Sequence, residues 1–485
     1  MTETLNDRQL LSAILLFAYF ISILFLVLKN RNNKDSEAYF LAGRQLPFWA
    51  LSITFIASWW GGGSAVDLID QAHTHGISSF WIYGMPVLFS TFLMYVFAKG
   101  IRKIGTISQP QLMEERYNAS TALLLSILIL IFMVIGSAVQ VIVIGKFFST
   151  FFEISYEWAA LIGTLIVVSY SFFGGFKGVV ITDILQFVFL LIAAITLFIF
   201  AYNGANGWAG LQTTVAENQL DHFFDFTHNI GDNMAYIITF GAAWMIQANI
   251  WQRISATRTP IDAKKMMIMS FLSFLPLYLL VTLTGMLSRG MYDAVPDGGI
   301  ASAIIFQQMP PMLAALIFVG ICSAIMSTMD SLVNTGALVL TVDIYQPLRP
   351  DATDSQLVQV GRIATLLVAL LSLFIGIKID AILTVSWIGS DFLATGAFVP
   401  LLMGFLWKRG TAPAAMASMV FGILFSTYNL LAAFDIGLSV PWEIASTYQA
   451  MVGMLTSFII YVGVSLVTKA DEKGVAFIEK AAILK

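Results

Sequence analysis

Residues 46–70 read LPFWALSITFIASWWGGGSAVDLID, an apolar stretch of bilayer-spanning length whose middle is interrupted by Gly61-Gly62-Gly63. About 20 apolar residues cross the hydrocarbon as a helix, and a glycine inside a helix is about 1 kcal/mol worse than alanine. Three in a row favour local unwinding. Unwound backbone at membrane depth is tolerated only where it is buried in protein or lines a cavity, and there its freed carbonyls can coordinate a cation. The rival reading of the glycines is close helix packing through small residues.

The rest of the chain has the same solvent. Of 485 residues, 58% are hydrophobic and 11% charged, with mean hydropathy +0.83, which excludes ordinary globular composition. The net charge of -4 is small and the basic residues are scattered, so no nucleic-acid surface is indicated and the partner is the lipid bilayer. Thirteen candidate spans fall near 9–28, 46–70, 77–98, 121–152, 157–173, 178–202, 233–252, 266–288, 311–342, 359–377, 381–407, 412–433 and 446–468. The fourth and ninth are long enough to tilt or project. The first exceeds a signal-peptide core of about 7–15 residues and is expected to stay as a span.

Sign placement orients the set, because cytoplasmic loops carry the excess of Lys and Arg. With the N-terminus outside and the C-terminus cytoplasmic, all 25 basic residues except Arg8, Lys146, Arg289 and Lys378 fall on inner segments, Arg253 among them. The longest outer loop, 203–232, holds Glu217, Asp221, Asp225 and Asp232 and no base. A multi-pass protein of the inner, plasma membrane is expected.

Polar residues inside such spans mark function. In the ninth, Ala324, Ser327, Thr328 and Ser331 stand at i, i+3, i+4 and i+7 and form one stripe. Their oxygens suit a hard monovalent cation, although serines also bond back to their own helix. Asp183, Asp330 and Asp391 each cost about 2.5–3.5 kcal/mol at a helix centre and need a partner. For Asp183 the alternative is an N-terminal acid favoured by the helix dipole; for Asp391 it is a bond to a neighbouring helix.

Asp67 and Asp70 lie late in the second span, and His73 and His75 read as solvated histidines, since no compact set of further metal ligands accompanies them. Trp59, Trp60, Trp81, Tyr83, Trp244, Trp251 and Trp387 are candidates to wall a pocket, against the plainer reading of packing and interfacial belt. Gly174-Gly175-Phe176-Lys177-Gly178 lacks phosphate-loop spacing and reads as a tight inner turn. Cys322, the one cysteine, reads as core. With no paired nucleophile and base, no enzyme is indicated.

Several separated motifs, in order, resemble the solute:sodium symporter family. They are Tyr39-Phe40-Leu41-Ala42-Gly43-Arg44, Gly174-Gly175-Phe176 with Thr182-Asp183-Ile184-Leu185-Gln186, Gln252-Arg253, and Met326-Ser327-Thr328-Met329-Asp330-Ser331 leading to Asp343-Ile344-Tyr345. Trp59-Trp60-Gly61-Gly62-Gly63 and Ser390-Asp391 resemble most the high-affinity choline transporter branch. The resemblance implies one all-α transmembrane domain of the leucine-transporter type. Its five-helix inverted repeats would fall at 46–202 and 233–407, each with a broken first member, flanked by a peripheral helix at 9–28 and two more at 412–468.

It also implies sodium-coupled uptake of a small polar solute by alternating access, the alternatives being a solute sensor without flux and a proton-coupled carrier. The implied sodium site uses main-chain oxygens of Ala57, Trp60 and Ala324 with the side chains of Ser327 and Thr328. A second cation position is implied at Asp183 and Ser331, with Asp330 where relatives have serine; two carboxylates so close are expected to be coupled through a sodium or a shared proton. Trp59 matches one wall of a choline cage, but Gln247 and Gly136 stand where two further tryptophans would. The implied substrate contacts are Trp59, Gly61, Gly62, Asp67, Trp81, Trp244, Gln247 and Asp391, and the solute an amine, amino acid or organic acid.

Overall fold

The computed structural model describes residues 7–30, 36–379, 381–433, 446–470 and 472–481. Among them every regular element is a helix, and the β-type pairing present is one isolated bridge between Leu46 and Thr257. Helices satisfy their backbone internally, which is what lipid demands. Of the basic residues used to orient the chain, Arg31, Lys34 and Lys485 lie outside the described residues.

Among the described residues, ten helices are long and apolar enough to cross a membrane, fewer than the thirteen expected spans. Two of the ten, Gly63–Ile104 and Tyr156–Gly204, are 42 and 49 residues long and each runs through two expected spans. The first turns at Gly76 (φ 67°). The second turns at Gly175 (φ 53°, ψ -169°), inside the 174–178 segment read as a turn, and a side chain there would strike the ring and carbonyl of Tyr39. The segment expected at 233–252 is divided into pieces too short to count.

Pro311–Leu348 is the buried centre. Its apolar window is 83% inside protein, against 28% for Gln9–Lys29 and 28% for Tyr448–Val467. It packs on Tyr156–Gly204, Ala119–Phe152, Asp7–Asn30, Asp354–Lys378 and Phe48–Trp59. The outer helices turn Phe17, Phe25, Phe374, Leu424 and Leu455 away from the protein, as lipid-facing surfaces do.

Two helices are broken where they meet this centre. Phe48–Trp59 stops at Trp60 (φ -91°, ψ 59°) and resumes through a wide π-helical turn, Gly63–Asp67, into Leu68–His75. In 230–255 the wide turn, Ile237–Gly241, comes first, then Ala242–Met245, a break at Ile246 and Gln247, and Ala248–Ser255. Break and wide turn therefore follow opposite orders in the two helices.

Candidate functional site

The break in 48–75 lies against the polar stripe of the central helix. Ala57 sits in the last turn of Phe48–Trp59, where helix carbonyls lack an amide four residues on. The Thr328 hydroxyl is 3.5 Å from the Ala57 carbonyl and 3.3 Å from that of Ala324. These are long for hydrogen bonds, so the oxygens surround a point without closing on one another. A Cβ on Gly61 would lie 2.4 Å from that same hydroxyl, so glycine is what lets the break approach. Ala57, Trp60, Ala324 and Ser327 are buried beside it. Ser327 spends its hydroxyl proton on Asp183, which leaves its lone pairs to accept. Several neutral oxygens around one point are what a hard monovalent cation requires.

One turn further along the stripe the arrangement changes, because Arg253 is fully buried there. Its guanidinium donates to Ser58 at 2.5 Å, Ser331 at 2.7 Å, Thr54 at 3.0 and 3.2 Å and the Asn249 carbonyl at 2.9 Å, and lies 3.5 Å from the Asp183 carboxylate. Thr54 also donates to Asp183. Read from sequence, Arg253 belongs to an inner loop; the break at Gln247 instead turns Ala248–Ser255 inward and carries it into the core. Two of the three residues expected at a second cation position, Asp183 and Ser331, are thus engaged by a side-chain cation. The third, Asp330, accepts a 3.4 Å bond from Ser331 at Oδ1 and has the Tyr170 hydroxyl as a further neighbour.

Beside Thr328 opens a cavity. Trp59, Tyr83, Phe132 and Trp244 supply aromatic walls, and Ser58, Gln140, Gln247, Ser386 and Ser390 supply polar groups; among the described residues no charged side chain lines it. Trp244 is sandwiched by stacking on Phe240 (4.9 Å) and Tyr83 (6.2 Å). The Trp59 indole donates to Gln247 Oε1 at 2.6 Å, and the Gly62 amide donates to Gln140 Oε1 at 2.9 Å. Both donors have no other role available, so each glutamine must present its oxygen to them and its NH₂ elsewhere.

The expected substrate contacts divide accordingly. Trp59, Gly61, Trp244 and Gln247 line the cavity, and Gly62 adjoins it through Gln140. Asp67, Trp81 and Asp391 are not on its wall. Asp67 stands behind Tyr83, accepting its hydroxyl at 2.9 Å; Trp81 donates to the Phe226 carbonyl at 2.8 Å, under the 203–232 loop. Asp391 is buried next to wall residue Ser390 and faces Ser426 of helix Ala412–Ala433, as expected of successive positions on a helix. His73 bonds Ser288 within the protein and His75 bonds the Gln71 carbonyl. Gln140 was missed in the sequence, yet a lone amide in the apolar run of Ala119–Phe152 is a signal of the kind that flagged the aspartates.

A sequence profile of the sodium:solute symporter family matches residues 39–422. The chain belongs to the sodium:solute symporter family. Relatives of this symporter include a sodium/glucose cotransporter of Vibrio parahaemolyticus, 25% identical over 86% of this chain and 84% of that one. A sodium/proline symporter of Staphylococcus aureus is 27% identical over 98% and 95%. Among solved structures, a Na+-coupled sialic acid symporter in a substrate-bound outward-open state superposes with a TM-score of 0.82 at 20% identity, covering 96% of this chain and 99% of that one. A nucleobase-cation-symport-1 transporter superposes at 0.57 with 11% identity, over 91% and 98%. The protein is a sodium-coupled symporter of a small solute, with sodium as its coupling ion, and not an enzyme.

Proposed function

We propose that the symporter holds sodium between the broken helix 48–75 and the central helix, on the main-chain oxygens of Ala57, Trp60 and Ala324 and the hydroxyls of Ser327 and Thr328. The observation that carries this reading is the position of Thr328, whose hydroxyl approaches the Ala57 and Ala324 carbonyls while its side chain lines the solute cavity. Sodium there ties the two helices together, and so has different affinity for states in which they are apart.

The solute is one with oxygen acceptors, an amino acid or an organic acid. With their oxygens committed to Trp59 and Gly62, Gln140 and Gln247 offer the cavity NH₂ donors. A carboxylate satisfies them, and its charge is balanced by sodium at the Thr328 end, since the wall has no charge of its own. The quaternary ammonium head of choline has no acceptor to give and its hydroxyl is a single one, which argues against the high-affinity choline branch. Trp59 and Trp244 are the aromatic walls, with Gly61 and Gly62 supplying backbone.

Asp330 favours a second reading for the accompanying charge. Arg253 neutralises one of the two buried carboxylates, Asp183 and Asp330, and a membrane interior requires the other to be neutralised as well. Met by the hydroxyls of Ser331 and Tyr170 rather than by a cation of its own, Asp330 is suited to carry a proton rather than to hold a second sodium with Asp183 and Ser331.

Thirteen crossings are proposed, in the plasma membrane, with the N-terminus outside and the C-terminus cytoplasmic. The 49-residue stretch then crosses twice, the 42-residue stretch completes the crossing begun by Phe48–Trp59 and makes one more, and the broken helix 230–255 crosses once. The opposite order of break and wide turn in the two broken helices supports inverted repeats at 46–202 and 233–407.

Purified protein in vesicles, offered labelled amino acids, carboxylates and amines, is expected to accumulate an acceptor-bearing solute only down an imposed sodium gradient. Gln247→Leu then raises KM for that solute about tenfold, the loss of roughly 1–1.5 kcal/mol of hydrogen bonding, with sodium activation unchanged. A preference for quaternary ammonium solutes, or binding without flux, overturns the reading.

A further inference from the structure

The outer loop that sequence marked only as acidic contains a cluster the transport site does not use. From Leu220 to Ile230 the backbone runs in successive i to i+3 turns, with Phe223 N bonded to the Leu220 carbonyl, Asp225 N to His222, His228 N to Asp225 and Ile230 N to Thr227 at 3.0–3.2 Å. At three residues per turn, positions i, i+3 and i+6 eclipse. His222, Asp225 and His228 therefore share one face.

The face gathers metal-ligand groups. The two imidazoles stack with centroids 4.2 Å apart and planes 10° apart, so they swing out of parallel for their in-plane lone pairs to meet at one ion, and the Asp225 Oδ2 lies 3.9 Å from His222 Nδ1. One ligand atom from each of the three residues lies within 4.8 Å of the others. Asp225 Oδ1 accepts from both the amide (2.9 Å) and the hydroxyl (2.7 Å) of Thr227, which fixes the carboxylate and leaves Oδ2 free. Outer-shell bonds of this kind are how proteins aim metal ligands. The side chains are exposed and able to close the remaining gap to the 2.0–2.2 Å bonds of a tetrahedral site, about 3.3 Å between donors. The hollow beside them, lined also by His75, Asp221 and Asp232, admits water as the fourth ligand. With no Lys or Arg in 203–232, the local field attracts cations.

We propose that His222, Asp225 and His228 form a site for a divalent transition metal of the Zn²⁺, Co²⁺ and Ni²⁺ class, the ions that imidazole with carboxylate favours. The loop carrying it is strapped over the turn at Gly76. The Phe223 carbonyl accepts the Ile77 amide at 2.9 Å, the Phe226 carbonyl accepts the Trp81 indole, and the Phe226 ring packs on Phe80 and Trp81. Metal bound here stiffens the strap across the end of the broken helix 48–75 that its sodium half must move against, and slows transport.

The test uses the full chain with its affinity tag removed, titrated with Zn²⁺ by calorimetry and with Co²⁺ by its visible absorption. One metal per chain is expected, with the intense visible band of four-coordinate cobalt. His222→Ala with His228→Ala should weaken binding more than about 100-fold, Thr227→Val about tenfold as an outer-shell loss, and His75→Ala not at all. Metal-free sodium-driven uptake by each variant should equal that of the parent, which shows the fold intact. Undiminished binding in the double histidine variant overturns the site. Zn²⁺ added on the loop side should lower the parent's uptake reversibly with chelator and leave the double variant unaffected; binding without any change in uptake overturns the strap.

Discussion

The proposed sodium cradle and the buried Arg253 pocket lie side by side on the central helix, and they are built on opposite rules. Around Ala57, Ala324 and Thr328 the oxygens are neutral and loosely placed, the Thr328 hydroxyl 3.3–3.5 Å from the two carbonyls. Around Arg253, a few residues along, a permanent charge is enclosed by four oxygens at 2.5–3.2 Å beside Asp183. A cation that must leave in every cycle needs ligands left partly unsatisfied when it goes, whereas a cation that stays can be satisfied completely. Ser327 belongs to both, since it neighbours Thr328 and donates to Asp183. Through it the immobile charge orients a ligand of the exchangeable one.

The largest expected effect comes from removing the immobile charge. Arg253→Met leaves Asp183 buried without its cation, a cost of about 3–5 kcal/mol, so thermal unfolding in detergent should drop by many degrees and uptake should vanish. Adding Asp183→Asn to that variant should recover part of the lost stability. If Arg253→Met unfolds at the parent's temperature, the guanidinium is not what holds the Asp183 carboxylate and the contrast fails.

Thr328→Ala comes next and touches only the loose cradle. Loss of one oxygen, about 1–1.5 kcal/mol, predicts a roughly tenfold higher half-activating sodium concentration with unfolding temperature unchanged. Unaltered sodium activation in vesicle uptake would remove Thr328 from the site. The smallest change is expected of Asp330→Asn, because an amide reproduces a neutral carboxylic acid. Sodium activation should stay within about threefold of the parent. A loss of tenfold or more would make Asp330 an ionised sodium ligand and turn the second environment into a second exchangeable one.

Much of this was legible in the residues. Glycines 61–63 announced the break, and the spacing of Ala324, Ser327, Thr328 and Ser331 announced the polar face, since both are local consequences of helix propensity and period. Legibility failed where a residue's partner is remote. Arg253 looked like one more inner-loop base, yet its contact with Thr54 spans 199 positions and that with Asp183 spans 70. Trp81 and Asp391 looked like pocket residues because aromatic and acidic side chains are conspicuous in a membrane span, but which side of a wall they take is set by the neighbouring helix. His222, Asp225 and His228 were passed over because histidine spacing becomes a ligand set only once the turn geometry of the loop is known.

Hydropathy, glycine content and helical period act within a few neighbouring residues, so the amino-acid order alone determined a lipid-embedded bundle of helices, one interrupted rod and the oxygen-bearing stripe facing it. Which oxygens converge, where the buried guanidinium goes and which way Gln140 and Gln247 point were decided only by packing. Those outcomes depend on satisfying charges and hydrogen bonds between segments far apart in the chain, and no local pattern encodes that sum.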